Sequence, residues 1–107
     1  MIEVEKSSGN VYADLGVADA DEMLVKAKLA SKIGEILQDR GWSQMEAAEV
    51  LGLPQPKLSN MLRGHFRGIS EAKMMECLTR LGRDVRIVIG KEDRKRRAGR
   101  VEVVSAV

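Results

Sequence analysis

The chain has few of the residues that disulfide-bonded, metal-binding or membrane proteins depend on. Its 107 residues include one Cys, one His, one Trp, one Tyr and one Phe. A single cysteine excludes an internal disulfide, and one Cys with one His supplies no zinc ligand set. No apolar run approaches the roughly 20 residues that span a bilayer, and no charged-then-apolar leader opens the chain. We therefore expect one reduced, cytoplasmic domain, with no metal, no cofactor and no membrane contact.

Catalytic motifs are missing as well. No glycine-rich phosphate loop follows a predicted strand, and nothing in the sequence brings Ser, His and Asp residues together. The sequence therefore predicts that the protein is not an enzyme. Hydrophobic residues make up 44% of the chain but aromatic residues 3%. The interior must be built from Leu, Ile, Val, Met and Ala, which suits packed helices. Cys77 lies in an apolar setting and is predicted to be a core residue.

Charge is distributed unevenly along the chain. Residues 1–40 carry eight acidic and five basic side chains, whereas residues 41–107 carry thirteen basic and eight acidic ones. The second part has the sign that favours approach to phosphate. The first part has the sign that suits a basic protein partner.

Residues 41–64, GWSQMEAAEVLGLPQPKLSNMLRG, predict two short helices joined by a tight turn. Ser43 followed by Glu46 is a capping-box pattern, so a helix should begin at Gln44. Gly52 should end it, and a second helix should run from about Gln55 to Arg63, with buried positions at Leu58, Met61 and Leu62. Two such helices, the second polar on its outer face, are the sequence form of a DNA-reading helix-turn-helix.

Two further helices should flank this pair. One runs from a cap at Asp19 or Asp21 to about Arg40, with an apolar stripe at Met23, Leu24, Ala27, Ala30, Ile33, Ile36 and Leu37. The other is capped by Ser70 and runs from Glu71 to about Leu81. Trp42 is predicted to pack under the helix that follows it.

The C-terminal residues change period. Alternation at Val85, Ile87 and Ile89 predicts a strand over 84–89, and a second candidate strand covers 100–105. A basic stretch, KEDRKRRAGR, separates them. The two strands could form a hairpin or could pair across a two-fold axis. We thus predict an irregular N-terminal arm (1–18), a helix-turn-helix domain (19–82) and a C-terminal dimerisation element (83–107).

The position of a residue in a helix-turn-helix indicates which part of DNA it would contact. The first helix crosses the phosphate backbone, and the second enters the major groove. Gln44, at the first helix's N-terminus, should hold a phosphate. The side of the second helix away from its buried residues carries Gln55, Lys57, Ser59 and Asn60. Gln and Asn suit adenine, and Lys suits guanine. The candidates for backbone contact at the far end are Arg63, His65 and Arg67. Any soluble helix exposes polar residues, so a purely solvated face is the alternative.

The core segment SQMEAAEVLGLPQPKLSNMLRG resembles the helix-turn-helix of the Cro/repressor-like XRE family. With NVYADLG at 10–16 and LGRDVRIVI at 81–89, it is similar to HigA-like antitoxins. The resemblance implies a mainly α, lambda-repressor-like bundle of four helices with one or two C-terminal β-strands. It also implies a homodimeric repressor that binds a palindromic operator and neutralises a basic HigB/RelE-type RNase toxin. The family positions correspond to Gln44 for phosphate and to Gln55, Lys57, Ser59 and Asn60 for bases or backbone.

Two prolines depart from the family pattern. Pro54 replaces the usual Ser or Thr cap, and Pro56 occupies a groove-facing position where it cannot donate a hydrogen bond. Readout at Pro56 must therefore be apolar, for example with a thymine methyl group. Two other functions remain open. One is a solitary or phage-type regulator without a toxin, and the other is a protein-interaction module that has lost DNA binding.

Overall fold

A computed structural model of the chain describes residues 16, 19–95 and 98–106. Within these residues the fold consists of four helices: α1 (Ala20–Arg40), α2 (Gln44–Leu51), α3 (Gln55–Leu62) and α4 (Glu71–Arg80). The four predicted helices are confirmed to within a residue or two. The arm predicted for residues 1–18 lies outside the described residues, apart from Gly16. None of the described helices combines the length and the apolarity that crossing a bilayer requires.

Helix α1 buries a wider stripe than the sequence predicted. Five of the predicted positions are buried, whereas Leu24 and Ala27 are half-buried. Val25 and Leu29, which are not part of the predicted stripe, are buried as well. At Gly34, helix α3 comes close: a Cβ added there would lie 3.3 Å from Cδ2 of Leu62. The absence of a side chain at Gly34 therefore lets the two helices pack tightly.

Side-chain caps begin helices α2 and α4. The Ser43 hydroxyl accepts the Glu46 N–H at 3.1 Å, and the Glu46 carboxylate accepts the Ser43 N–H at 3.0 Å. This reciprocal pair is the predicted capping box, and it satisfies two N–H groups that have no partner inside the helix. The Ser70 hydroxyl accepts the Lys73 N–H at 3.1 Å in the same way. Both helix starts are thus fixed by residues visible in the sequence.

Residues Lys26–Val85 form one compact unit, and the described residues before and after it group into a second. Helix α2 packs against both α3 and α4. The most deeply buried side chains come from every helix, from the loop before α4 and from the residue that ends α4: Ile33, Leu51, Leu58, Met61, Phe66, Met74, Cys77 and Leu81. Phe66 is the aromatic residue in this core among the described residues. Cys77 is fully buried, as predicted, and this burial raises the pKa of its thiol.

The predicted C-terminal strands are wrong for the described residues. Residues 83–95 and 98–106 contain no β-strand. Ile87, Val88 and Ile89 are 76%, 84% and 89% exposed. A strand needs a neighbour whose N–H and C=O groups pair with its own, and the described residues supply none. The alternation of apolar residues predicts a strand, but it contains no information on whether a pairing neighbour is present.

Candidate nucleic-acid interface

The turn between α2 and α3 is fixed by the backbone. Gly52 ends α2 with φ 66°, in the left-handed region that favours glycine. Its N–H donates to the Glu49 carbonyl at 3.3 Å, and the Leu53 N–H donates to the Ala48 carbonyl at 3.0 Å. These two bonds form a Schellman motif, which Leu53 completes by burying its side chain. The turn therefore sets the angle at which α3 leaves α2.

Arg80 of α4 braces this turn. Its Nη1 donates to the Val50 carbonyl at 3.3 Å, near the C-terminus of α2. A Cβ added at Gly52 would lie 2.6 Å from the same nitrogen, so the guanidinium rests directly against the glycine. Gly52 is thus required twice, once for its backbone conformation and once for the space that Arg80 occupies. The sequence predicted the first requirement and gave no indication of the second.

Helix α3 turns its polar side outward. Leu58 and Met61 are buried, whereas the predicted base-contacting residues Gln55, Lys57 and Asn60 are exposed. Pro56 is exposed too, and Ser59 is half-buried. The candidate residues thus lie on the surface of the protein and away from its own interior, which is the arrangement that entry into a groove requires.

Two prolines leave the start of α3 with few hydrogen-bond donors. Pro54 precedes the helix and makes no side-chain cap, and Pro56 is its second residue. The Lys57 N–H is already directed to the Pro54 carbonyl at 3.0 Å. Since proline has no N–H, Gln55 is left as the donor at this helix end. Phosphate binding by this terminus would therefore be weak, and base contact by side chains is favoured.

The far end of α3 is held by a second Schellman motif. Gly64 has φ 87°, and the His65 N–H donates to the Asn60 carbonyl at 2.8 Å. The Asn60 side chain is also engaged, because its Oδ1 accepts from Arg63 Nη2 at 2.6 Å. An amide oxygen has two lone pairs, so Oδ1 can still accept a hydrogen bond from adenine. Arg63 thus orients the Asn60 amide, an arrangement that the separate residues did not indicate.

Gln44 is exposed at the first position of α2. The capping box occupies the N–H groups of Ser43 and Glu46, which leaves those of Gln44 and Met45 without an intrahelical acceptor. The same capping lowers the pKa of the Glu46 carboxyl, mainly through its bond from the Ser43 backbone N–H. Its negative charge opposes a phosphate at this end, so the contact expected of Gln44 is a hydrogen bond and not a charge pair.

The loop after α3 carries the remaining candidates, His65 and Arg67, both exposed. Sequence reasoning missed the residue that holds this loop. Lys26 of α1 is buried and donates from Nζ to the Arg67 carbonyl at 3.1 Å. One signal could have found it: Lys26 lies three residues after Met23 and four before Ala30, within the apolar stripe of α1.

Comparison with known proteins identifies the same helix-turn-helix motif. Residues 11–90 match a family model described as a helix-turn-helix domain. A solved structure assigned as an XRE family transcriptional regulator is 39% identical, with a TM-score of 0.75. The match covers 82% of this chain and 99% of that one. The chain belongs to the XRE family of helix-turn-helix proteins. No curated protein shows significant similarity to it.

In this XRE-family chain the two helices of the motif are α2 and α3. The nine candidate residues comprise one at the start of α2, five on α3 and three at or just beyond its end: Gln44, Gln55, Pro56, Lys57, Ser59, Asn60, Arg63, His65 and Arg67. Arginine and lysine donate to phosphate and to guanine, whereas glutamine and asparagine match the donor and acceptor pair of adenine. The surface can thus combine base recognition in the middle with backbone contacts at both ends.

Proposed function

We propose that this protein is a DNA-binding transcriptional regulator that represses from a palindromic operator. The observation that carries the proposal is the outward polar side of α3, where Gln55, Lys57 and Asn60 are exposed above buried Leu58 and Met61. The assignment of the chain to the XRE family supports the same function.

Operator selection from random duplexes, followed by binding titrations, tests the proposal. A variant with alanine at Gln55, Lys57 and Asn60 should lose about 1–3 kcal/mol for each base contact removed. The matched control, Lys32→Ala with Gln38→Ala, removes similar side chains from α1 and should bind as the wild type does. Unchanged affinity of the triple variant would overturn the assignment of α3 to the groove.

The salt dependence of binding separates a regulator from an interaction module that has lost DNA affinity. A protein that neutralises several phosphates releases counterions, so its affinity falls steeply as salt rises. We expect such a fall for the wild-type chain. A flat response would favour the interaction module.

The proposed assembly is a homodimer whose C-terminal segments, residues 84–89 and 100–105, pair across a two-fold axis. Such a dimer would place two α3 helices about 34 Å apart, one turn of the duplex. Support comes from the apolar side chains that these segments leave exposed, Ile87, Val88, Ile89, Val101 and Val104. Exposed apolar side chains clustered in this way favour association with another protein surface.

Sedimentation analysis tests the dimer. Ile89→Lys should shift the protein toward monomer, since a substitution in a two-fold interface acts twice. Ala72→Lys adds the same charge on α4, where Ala72 is exposed, and should leave the dimer intact. If Ile89→Lys dimerises as the wild type does, the C-terminal segments do not form the interface.

We propose further that the regulator is the antitoxin of a toxin–antitoxin pair and neutralises a HigB/RelE-like RNase. The resemblance to HigA-like antitoxins and the acidic excess of residues 1–40 support this role. The alternative is a solitary regulator. Co-expression with the product of the adjacent gene, followed by affinity purification, distinguishes them: recovery of a small basic RNase supports the antitoxin, and its absence supports the solitary regulator.

A further inference from the structure

A buried charge lies beneath the loop that follows α3. Lys26 is 4% exposed and is the charged residue in the core of the described part of the chain. An ammonium group is costly to bury unless it is hydrogen-bonded and paired. Its Nζ lies 3.1 Å from the Arg67 carbonyl, 3.5 Å from the Phe66 carbonyl and 3.9 Å from Glu71 Oε1. The two carbonyls accept hydrogen bonds from the ammonium group, and the Glu71 carboxylate supplies the opposite charge.

These three partners belong to the loop and to the first turn of α4. Phe66 and Ile69 are buried, and the Ile69 N–H donates to the Phe66 carbonyl at 3.1 Å, so the loop is a tight turn. His65 and Arg67 alternate with buried Phe66 and are exposed. Lys26 therefore fixes the backbone from which these two side chains project.

We propose that Lys26 is a positioning residue for DNA binding, which holds the 65–67 loop so that Arg67 and His65 meet the phosphate backbone. This inference rests on the proposed function. A loop held in place before binding loses less conformational freedom when it engages phosphate, and its exposed side chains reach the phosphates in one geometry. Without the ammonium group, the carbonyls of residues 66 and 67 lose the hydrogen bonds that Lys26 donates, and the loop is held less tightly, by its own turn and by buried Phe66 and Ile69.

The salt dependence of operator binding tests this role. If Lys26 only stabilised the fold, its replacement would leave the slope of log affinity against log salt unchanged. Each lost phosphate contact lowers the slope of log affinity against log salt by about 0.9. We expect Lys26→Met to lower the slope by about 1–2. The matched control is Lys32→Met, which removes the same charge from a partly exposed site on α1 and should keep the native slope.

A double-mutant cycle with Arg67→Ala identifies the route of the effect. If Lys26 acts through Arg67, Arg67→Ala should lower the slope in the wild-type background and change it little in Lys26→Met. Should Lys26→Met lack a cooperative unfolding transition, Lys26→Gln replaces it. Its side chain is one bond shorter and uncharged, and the same reduced slope and the same non-additivity are expected.

The outcomes separate this inference from the function on which it rests. A reduced slope for Arg67→Ala with a native slope for the folded Lys26 variant overturns the positioning role and leaves DNA binding intact. Full additivity of the two substitutions overturns it as well. A native slope for Arg67→Ala would show that Arg67 makes no phosphate contact. That result would overturn both the positioning role of Lys26 and the assignment of Arg67 to the DNA interface.

Discussion

Replacing Gly52 by alanine should destabilise the protein through two separable effects. The first is conformational, because an L-residue at φ 66° costs about 1–2 kcal/mol. The second is steric: the new Cβ would lie 2.6 Å from Arg80 Nη1, so the guanidinium must move and release the Val50 carbonyl. Loss of that hydrogen bond adds about 0.5–1 kcal/mol. The free energy of unfolding should thus fall by about 1.5–3 kcal/mol.

Urea denaturation of Gly52→Ala and of a matched variant measures both effects. Gly41 has φ 67°, and nothing lies within 4 Å of a Cβ built there, so Gly41→Ala carries the conformational cost alone. The excess of Gly52→Ala over Gly41→Ala should disappear in an Arg80→Ala background. Equal losses for the two glycine variants in the wild-type background would refute the role of Arg80, and no loss in either would refute the left-handed backbone.

Two further predictions concern side chains at the start of α2 and at the end of α1. Because capping lowers the pKa of the Glu46 carboxyl, its stabilising contribution is complete above the ordinary value of 4.5 and is lost as the pH falls through the lowered value. The difference in unfolding free energy between wild type and Glu46→Gln should therefore shrink in acid, and a difference that persists at low pH would contradict the capping geometry. Arg40→Ala removes a 3.0 Å bond to the Leu81 carbonyl and a cation 4.9 Å from the Trp42 ring centroid. It should cost about 1 kcal/mol and alter tryptophan emission, whereas unchanged emission would contradict the stacking.

The helices and the outward side of α3 were predictable because each depends on neighbours in the chain. A capping box needs residues three apart, a helix end needs a glycine, and helical spacing separates buried Leu58 from exposed Lys57. Interactions between distant residues were not predictable. Arg80 reaches a turn 28 residues before it, and Lys26 holds a loop about 40 residues after it. Trp42, predicted to pack under α2, is half-buried, and its ring contacts the guanidinium of Arg40, two residues before it.

The sequence by itself determined where the helices begin and end, because caps and periodicity act within a few residues. Tertiary structure decided three things that no local pattern contains: which charge is buried, what occupies the space beside Gly52, and whether alternating residues near Ile87 form a strand. The physical reason is the same in each case. Burial, steric contact and strand pairing are properties of two segments together, and the chain order of one segment does not specify the other.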